Sequence, residues 1–260
     1  LKPNKEELKV CLKEKNYVSL LKEGMKSLYI LKMRTSVMKK YIKQTDADVL
    51  ISSRVLYTEL VSKYAKKGVI TMAQEHCHHN NNEKYIKKLE KACRGIDYLI
   101  PVSKELTEFY DKRIKNKRTK CLYIPNSLEY WPEEQSKLNE KNLISIGRIS
   151  PEKGFLDLID VFDIVHQKFP EWHLHIIGDG VEMQLLKQRI KALNLTDSVV
   201  LHGFQKKEFI YKQLLHASIY AMGSFEESFG IVLLEAASFG IPLIAFDSAQ
   251  GAHEIIEENQ

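Results

Sequence analysis

The sequence predicts an α/β protein built from two doubly wound parallel-sheet domains. Three observations carry this: short apolar runs alternate with helical patterns, the alternation restarts after a polar interruption, and the charge changes sign between the halves. With 260 residues and 44% hydrophobic content, the chain has room for two cores of ordinary size. In the first half the runs are DVLIS at 48–52, VITMAQ at 69–74, DYLIPVS at 97–103 and CLYIPN at 121–126. Each is too short for a buried helix and is bounded by polar or turn residues, so each reads as a strand of a sheet covered on both faces. A polar stretch holding Pro132 and EEQSKLNEKN marks a linker over 127–141. The same grammar then resumes with NLISIG at 142–147, LHIIGDG at 174–180, VVLHG at 199–203, SIYAMG at 218–223 and PLIAF at 242–246. Helical patterns fall near 154–169, 182–193, 206–215 and 230–239. The expected division is therefore 1–126, linker 127–141, and 142–260. The closing pattern GAHEIIEENQ reads as a helix with no strand after it, so both domains are expected to be incomplete and the chain truncated at both ends.

Residues 1–126 hold 28 Lys+Arg against 14 Asp+Glu, whereas the remainder holds 11 against 20. A basic first half suits an anionic surface such as phospholipid headgroups or a lipid diphosphate, although a solvated lysine-rich surface has the same composition. Nucleic acid is set aside as a partner. The basic segments KKLEKACR and KRIKNKRTK read as amphipathic helices without the interleaved aromatics of a base-stacking platform. Cys11, Cys77, Cys93 and Cys121 are scattered, which suggests neither a disulfide framework nor a zinc cage and fits a reducing compartment. The opening LKPNKEELKVCLKEK is a charged helical pattern without an apolar signal region, and no run of eighteen apolar residues follows, so a soluble cytoplasmic protein is expected. No short-period repeat points to a solenoid, and no G-x-G-x-x-G follows a strand, which argues against a dehydrogenase.

The richest segment runs from Glu226 to Gly240: a polar loop after SIYAMG, then an apolar helix ending at a glycine. A helix opening near Gly230 turns unpaired N–H groups and its positive dipole end toward the strand ends, where open α/β sheets bind ligands. Glu227 precedes that helix, and Glu235 stands roughly 7 Å of helical rise beyond Gly230. Two carboxylates flanking a phosphate cradle can accept hydrogen bonds from sugar hydroxyls on either side of a diphosphate. A second loop, Ser145 to Gly154, carries Arg148 and Lys153. Fixed cations there can neutralise the charge that develops on a departing nucleoside diphosphate.

These residues carry a resemblance. Glu227-Ser228-Phe229-Gly230-Ile231 through Glu235 resembles the E-x7-E signature of glycosyltransferase family 4, with Ser228 where the family usually has glycine. Gly147-Arg148 through Lys153-Gly154 resembles its G-R-x4-K-G loop. Ile177-Gly178-Asp179-Gly180, Leu201-His202-Gly203-Phe204, Pro101-Val102-Ser103 and Ile124-Pro125-Asn126 are looser matches, Ser127 replacing the linker glycine. Together the resemblance spans roughly 70–256. It implies the two-domain GT-B fold with two Rossmann-like halves, and a retaining transfer of a hexose or N-acetylhexosamine from a nucleotide-sugar, UDP more than GDP, to a lipid-linked or polysaccharide acceptor in surface glycan biosynthesis. It implies catalytic roles for Arg148, Lys153, Glu227 and His76. Donor contacts are implied at Gly147, Gly178, Phe204, Ser228, Phe229, Gly230, Ile231 and Glu235.

No cofactor or metal is implied. Gln74 to His79 is rich in His and Cys but crowded on one loop, and Asp46-Ala47-Asp48 sits where aspartates serve turns. The implied location is cytoplasmic, with peripheral attachment at the inner membrane face as an extension of the basic first half. Two other readings stay open: a nucleotide-sugar epimerase of the same fold, and a non-catalytic nucleotide-sugar-binding fragment.

Overall fold

The computed structural model describes residues 5–116, 118–248 and 250–256. Within it the chain forms two compact units, each organised around one parallel sheet. The segments His76–Asn81 and Pro101–Phe109 group with the second unit, as does everything described from Tyr123 onward.

The first unit opens with helices α1 (Lys5–Lys13) and α2 (Tyr17–Gln44). Asn16 caps α2 by accepting the Ser19 N–H at 3.1 Å. The first sheet and the helices between its strands follow as β1 (Val49–Ser52), α3 (Val55–Tyr64), β2 (Ile70–Glu75), α4 (Glu83–Cys93), β3 (Tyr98–Pro101), α5 (Lys104–Arg113, its residues through Phe109 grouping with the second unit) and β4 (Lys120–Cys121). The strands lie in sequence order, β1-β2-β3-β4, with Val49 opposite Ile70 and Tyr98 opposite Lys120. Every step across this sheet goes the same way, so right-handed crossovers put the connecting helices on one face. Arg113 of α5 accordingly pairs with Glu90 of α4 at 2.6 Å. On β1 and β2, Val49, Ile51 and Ile70 are exposed while Ser52, Thr71 and Ala73 are buried. The expected coverage of both faces is therefore not seen here. Val18, Leu21, Met25 and Leu28 of α2 are exposed as well. β4 is shorter than the run at 121–126 suggests, although backbone bonding continues beyond it, the Leu122 N–H donating to Leu99 at 2.9 Å and the Ile124 N–H to Pro101 at 3.5 Å.

The second unit contains β5 (Asn142–Ile146), α6 (Phe155–Lys168), β6 (His173–Ile177), α7 (Met183–Ala192), β7 (Val199–Leu201), α8 (Lys207–Leu215), β8 (Ile219–Met222), α9 (Ile231–Ser238) and β9 (Leu243–Ala245). Its order is β7-β6-β5-β8-β9, all parallel. From β5 the chain winds one way to β7, then crosses back and winds the other way from β8. Helices therefore cover both faces. Phe155, Ile159, Phe162, Leu186 and Ile190 of α6 and α7 build one core with Leu174 and Ile176. Leu214, Leu233, Ala236 and Phe239 of α8 and α9 build the other with Tyr220. The reversal leaves a crevice at the carboxyl ends of β5 and β8, the position where open α/β sheets place their ligands. The closing pattern expected as a helix is a short 3-10 turn over Gln250–Glu254; its last four residues lie outside the described ones.

Candidate active site

The loops leaving β5, β6 and β8 are laced together by backbone bonds. Phe225 N–H donates to the Glu152 carbonyl at 3.0 Å, Gly147 N–H to Ile177 at 3.0 Å, and Ile149 N–H to Asp179 at 3.0 Å. Glycine is required at two of the close approaches. At Gly154, with φ of 58°, a Cβ would stand 1.9 Å from the Gly223 carbonyl oxygen; at Gly178 it would stand 1.8 Å from that of Gly147. Pro151–Lys153 forms one 3-10 turn with proline in its first turn, which fixes the direction of Lys153 before α6 begins.

A pocket of about 180 Å³ lies at this crevice, bordered by Gly147, Lys153, Tyr220, Gly223, Ser224, Glu227, Ile231 and Val232. Ile231 and Val232 open α9, whose first N–H groups have no partner within the helix. Lys153 forms an ion pair with Glu227, their side chains only 17% and 18% exposed, and also donates to the Glu226 carbonyl at 3.4 Å. The buried Tyr220 hydroxyl donates to the Ile146 carbonyl at 3.2 Å, and burial pushes its pKa far above the ordinary tyrosine value. Glu235 is half buried eight residues past Glu227. Burial raises its carboxyl above the usual range, Lys207 opposes the rise and Glu129 adds to it.

The structure thus brings Lys153, Glu227, Gly147 and Ile231 to one pocket. Arg148 pairs with Glu152 at 3.5 Å and borders an adjacent open cleft with Asp179 and Gly180. Gly178 receives the loop after β7, its N–H donating to Gly203 at 2.9 Å. Phe204, the next residue, is 81% exposed. Ser228 is half buried, whereas the Phe229 ring is buried in the protein, so its backbone is what remains for a ligand. Gly230 is the left-handed residue before α9. His76 is exposed in the 76–81 segment; its neighbour His79 is buried and lies 4.1 Å from the Phe109 ring, centroid to centroid. Asp46 pairs with Lys66 at 2.9 Å. Among the described residues no group of three or more His, Cys, Asp or Glu could hold a metal ion, and no disulfide joins the cysteines. Tyr220, Gly223 and Ser224 escaped the motif reading; a strand ending in glycine at the switch point was their signal.

Fold and pocket together define an α/β protein with a ligand crevice at the switch point of its second sheet, where a largely covered cation and carboxylate meet a helix N-terminus. Comparison with known proteins gives the family. Residues 128–260, just over half of the chain, match the model for Glycosyl transferases group 1, and the chain belongs to that family. It is 26% identical over 234 residues to an uncharacterised glycosyltransferase of Haemophilus influenzae, covering 87% of this chain and 64% of that protein. Against a lipopolysaccharide 1,6-galactosyltransferase of Escherichia coli the identity is 26% over 225 residues, covering 84% and 61%. Among solved structures it resembles the pneumococcal O-GlcNAc transferase GtfA in complex with UDP and GlcNAc, with a TM-score of 0.72, 22% identity, and coverage of 87% and 47%. The chain thus spans about half to two thirds of these proteins. The structural likeness shows the fold, that of GT-B glycosyltransferases with Rossmann-like units.

Proposed function

We propose that this protein takes part in transfer of a hexose or N-acetylhexosamine from a nucleoside diphosphate sugar, UDP-linked before GDP-linked, with retention of anomeric configuration and without a metal ion. The observation that carries this reading is the Lys153–Glu227 pair in the switch-point pocket beside the start of α9. In the ligand-free protein the two groups neutralise each other. A bound donor separates their tasks: the diphosphate takes the Lys153 ammonium and the first amides of α9, and the sugar hydroxyls take the Glu227 carboxylate. Arg148, at the rim, adds a second cation. As the bond from the sugar to the diphosphate breaks, the acceptor oxygen bonds to the same carbon, and its proton passes to the departing phosphate oxygen. Lys153, Arg148 and the helix terminus stabilise the charge that accumulates there, so a divalent ion is unnecessary. Glu235 accepts from the ribose, Phe204 and its loop border the base, and His76 serves the donor sugar.

A lipid-linked or polysaccharide acceptor is supported by the relatives, one of which is named for lipopolysaccharide galactosyl transfer. The charge of residues 1–126 and the exposed Leu21, Met25 and Leu28 among the lysines of α2 support action at an anionic membrane surface. Among the described residues no helix is long and apolar enough to cross a membrane.

The test is incubation with UDP-hexoses or UDP-N-acetylhexosamines together with a lipid-linked or polysaccharide acceptor in excess EDTA, with the glycoside product followed by NMR. Released UDP and a glycoside whose anomeric proton stays equatorial, as in the α-linked donor, are the expected outcome. Activity that needs an added divalent ion would overturn metal independence, and an epimerised but intact sugar nucleotide would overturn transfer.

A further inference from the structure

The linker and the last two helices meet beside Glu235. Residues 129–136 strap α8 and α9: the Tyr130 ring stacks on Tyr211 at 5.1 Å, and Ser136 donates its N–H to the Phe239 carbonyl at 2.9 Å. Tyr211 in turn meets the Phe239 ring at 5.6 Å, which fixes the register of the two helices. Both helices return against the parallel strands and so run in the same direction. Lys207 lies four residues before Tyr211 and Glu235 four residues before Phe239. One turn back from the ring contact, toward the ligand end of the sheet, the two side chains are therefore neighbours. Lys207 is not wholly available to Glu235, because it forms an ion pair with the exposed Glu129 of the linker.

We propose that Lys207 is a positioning residue for Glu235, holding that carboxylate ready to accept from the hydroxyls of a bound nucleoside, and that Glu129 moderates the hold by drawing the ammonium toward the linker. The nucleoside role rests on the glycosyltransferase reading above; the grip of Lys207 on Glu235 does not. Electrostatics agree with the geometry. Burial raises the Glu235 carboxyl, Lys207 is the cation that opposes it, and Glu129 works in the other direction. Among the described residues the other titratable groups that interact with it are Tyr211 and Tyr220, both raised chiefly by burial and neutral near pH 7, and Tyr130 of the linker stacks on Tyr211. Because the Glu129–Lys207 pair is exposed, it contributes little to stability. Its effect reads in the charge on Glu235.

The experiment is a carbon-13 NMR titration of the Glu235 carboxyl, with UDP affinity measured from pH 5.5 to 8, on the whole chain and its Lys207→Met, Lys207→Arg and Glu129→Gln variants. Lys207→Met is expected to move the Glu235 titration upward and to weaken UDP binding about tenfold near pH 6, less at pH 8. Lys207→Arg restores both, and Glu129→Gln moves the titration downward. A Glu235 titration unmoved by Lys207→Met, in a protein of unchanged melting temperature, overturns the proposal. Failure of the folded wild type to bind any nucleoside diphosphate sinks the glycosyltransferase reading instead, and the carboxyl titration alone then decides the role of Lys207.

Discussion

The two sheets of this protein use the same strand-helix grammar and arrive at different chemistry. In the first, β1 to β4 follow one another in order, and the helices between them gather on one face. In the second, the chain winds out from β5, returns, and winds the other way from β8, so that two loops leave neighbouring strands in opposite directions. Only that reversal opens a crevice at the strand ends, and the pocket with Lys153, Glu227 and the start of α9 lies there. A ligand site on this fold is a consequence of strand order before it is a consequence of residue identity.

The contrast can be broken or sharpened in steps. The largest effect is expected from Gly154→Ala, whose Cβ would collide with the Gly223 carbonyl where the β5 and β8 loops meet; we expect roughly 3 kcal/mol of lost stability by urea denaturation. At Gly68 of the first unit, also at positive φ, a Cβ meets open space, and alanine should cost only about 1 kcal/mol. Next, Leu233→Ala in the closed core of the second unit should cost about 2–4 kcal/mol, while Leu21→Ala on exposed α2 should stay within about 0.5 kcal/mol. Similar losses at both sites would mean that α2 is covered in solution.

Two carboxylates give a smaller test with opposite signs. At Asp97, burial acts to raise the pKa, but hydrogen bonds from the Thr71 hydroxyl and N–H and from Arg118 outweigh it and leave it below the ordinary value. Its contribution is therefore present above the unfolded pKa and is lost as the pH falls through the folded one. Asp97→Asn should cost about 1 kcal/mol at pH 7 and progressively less in acid. The Glu235 carboxyl is raised, so its contribution is lost as the pH climbs from the unfolded value through the folded one. Glu235→Gln should therefore raise the melting temperature at pH 7, the gain vanishing below about pH 4, while weakening UDP binding roughly tenfold. Thermal melts at several pH values separate the two cases.

Much of this was legible in the sequence. The strands of the second sheet are apolar runs closed by glycine or polar residues, and β5 to β9 lie where those runs predict them. The glutamate pair was visible because a fixed spacing within one loop and helix survives folding unchanged. What escaped depends on distant approach. Glu129 and Lys207 are 78 residues apart in sequence, and no periodicity joins them. The contrast between exposed His76 and buried His79 turns on a ring packed against Phe109, thirty residues away from His79 in the chain.

The most direct measurement is a calorimetric titration of the whole chain with UDP in EDTA, for wild type, Lys153→Ala and Lys66→Ala. If the switch point of the second sheet is the nucleotide site, wild type and Lys66→Ala bind alike and Lys153→Ala binds at least tenfold more weakly. Equal binding by Lys153→Ala and wild type, in folded protein, would contradict the assignment of the site.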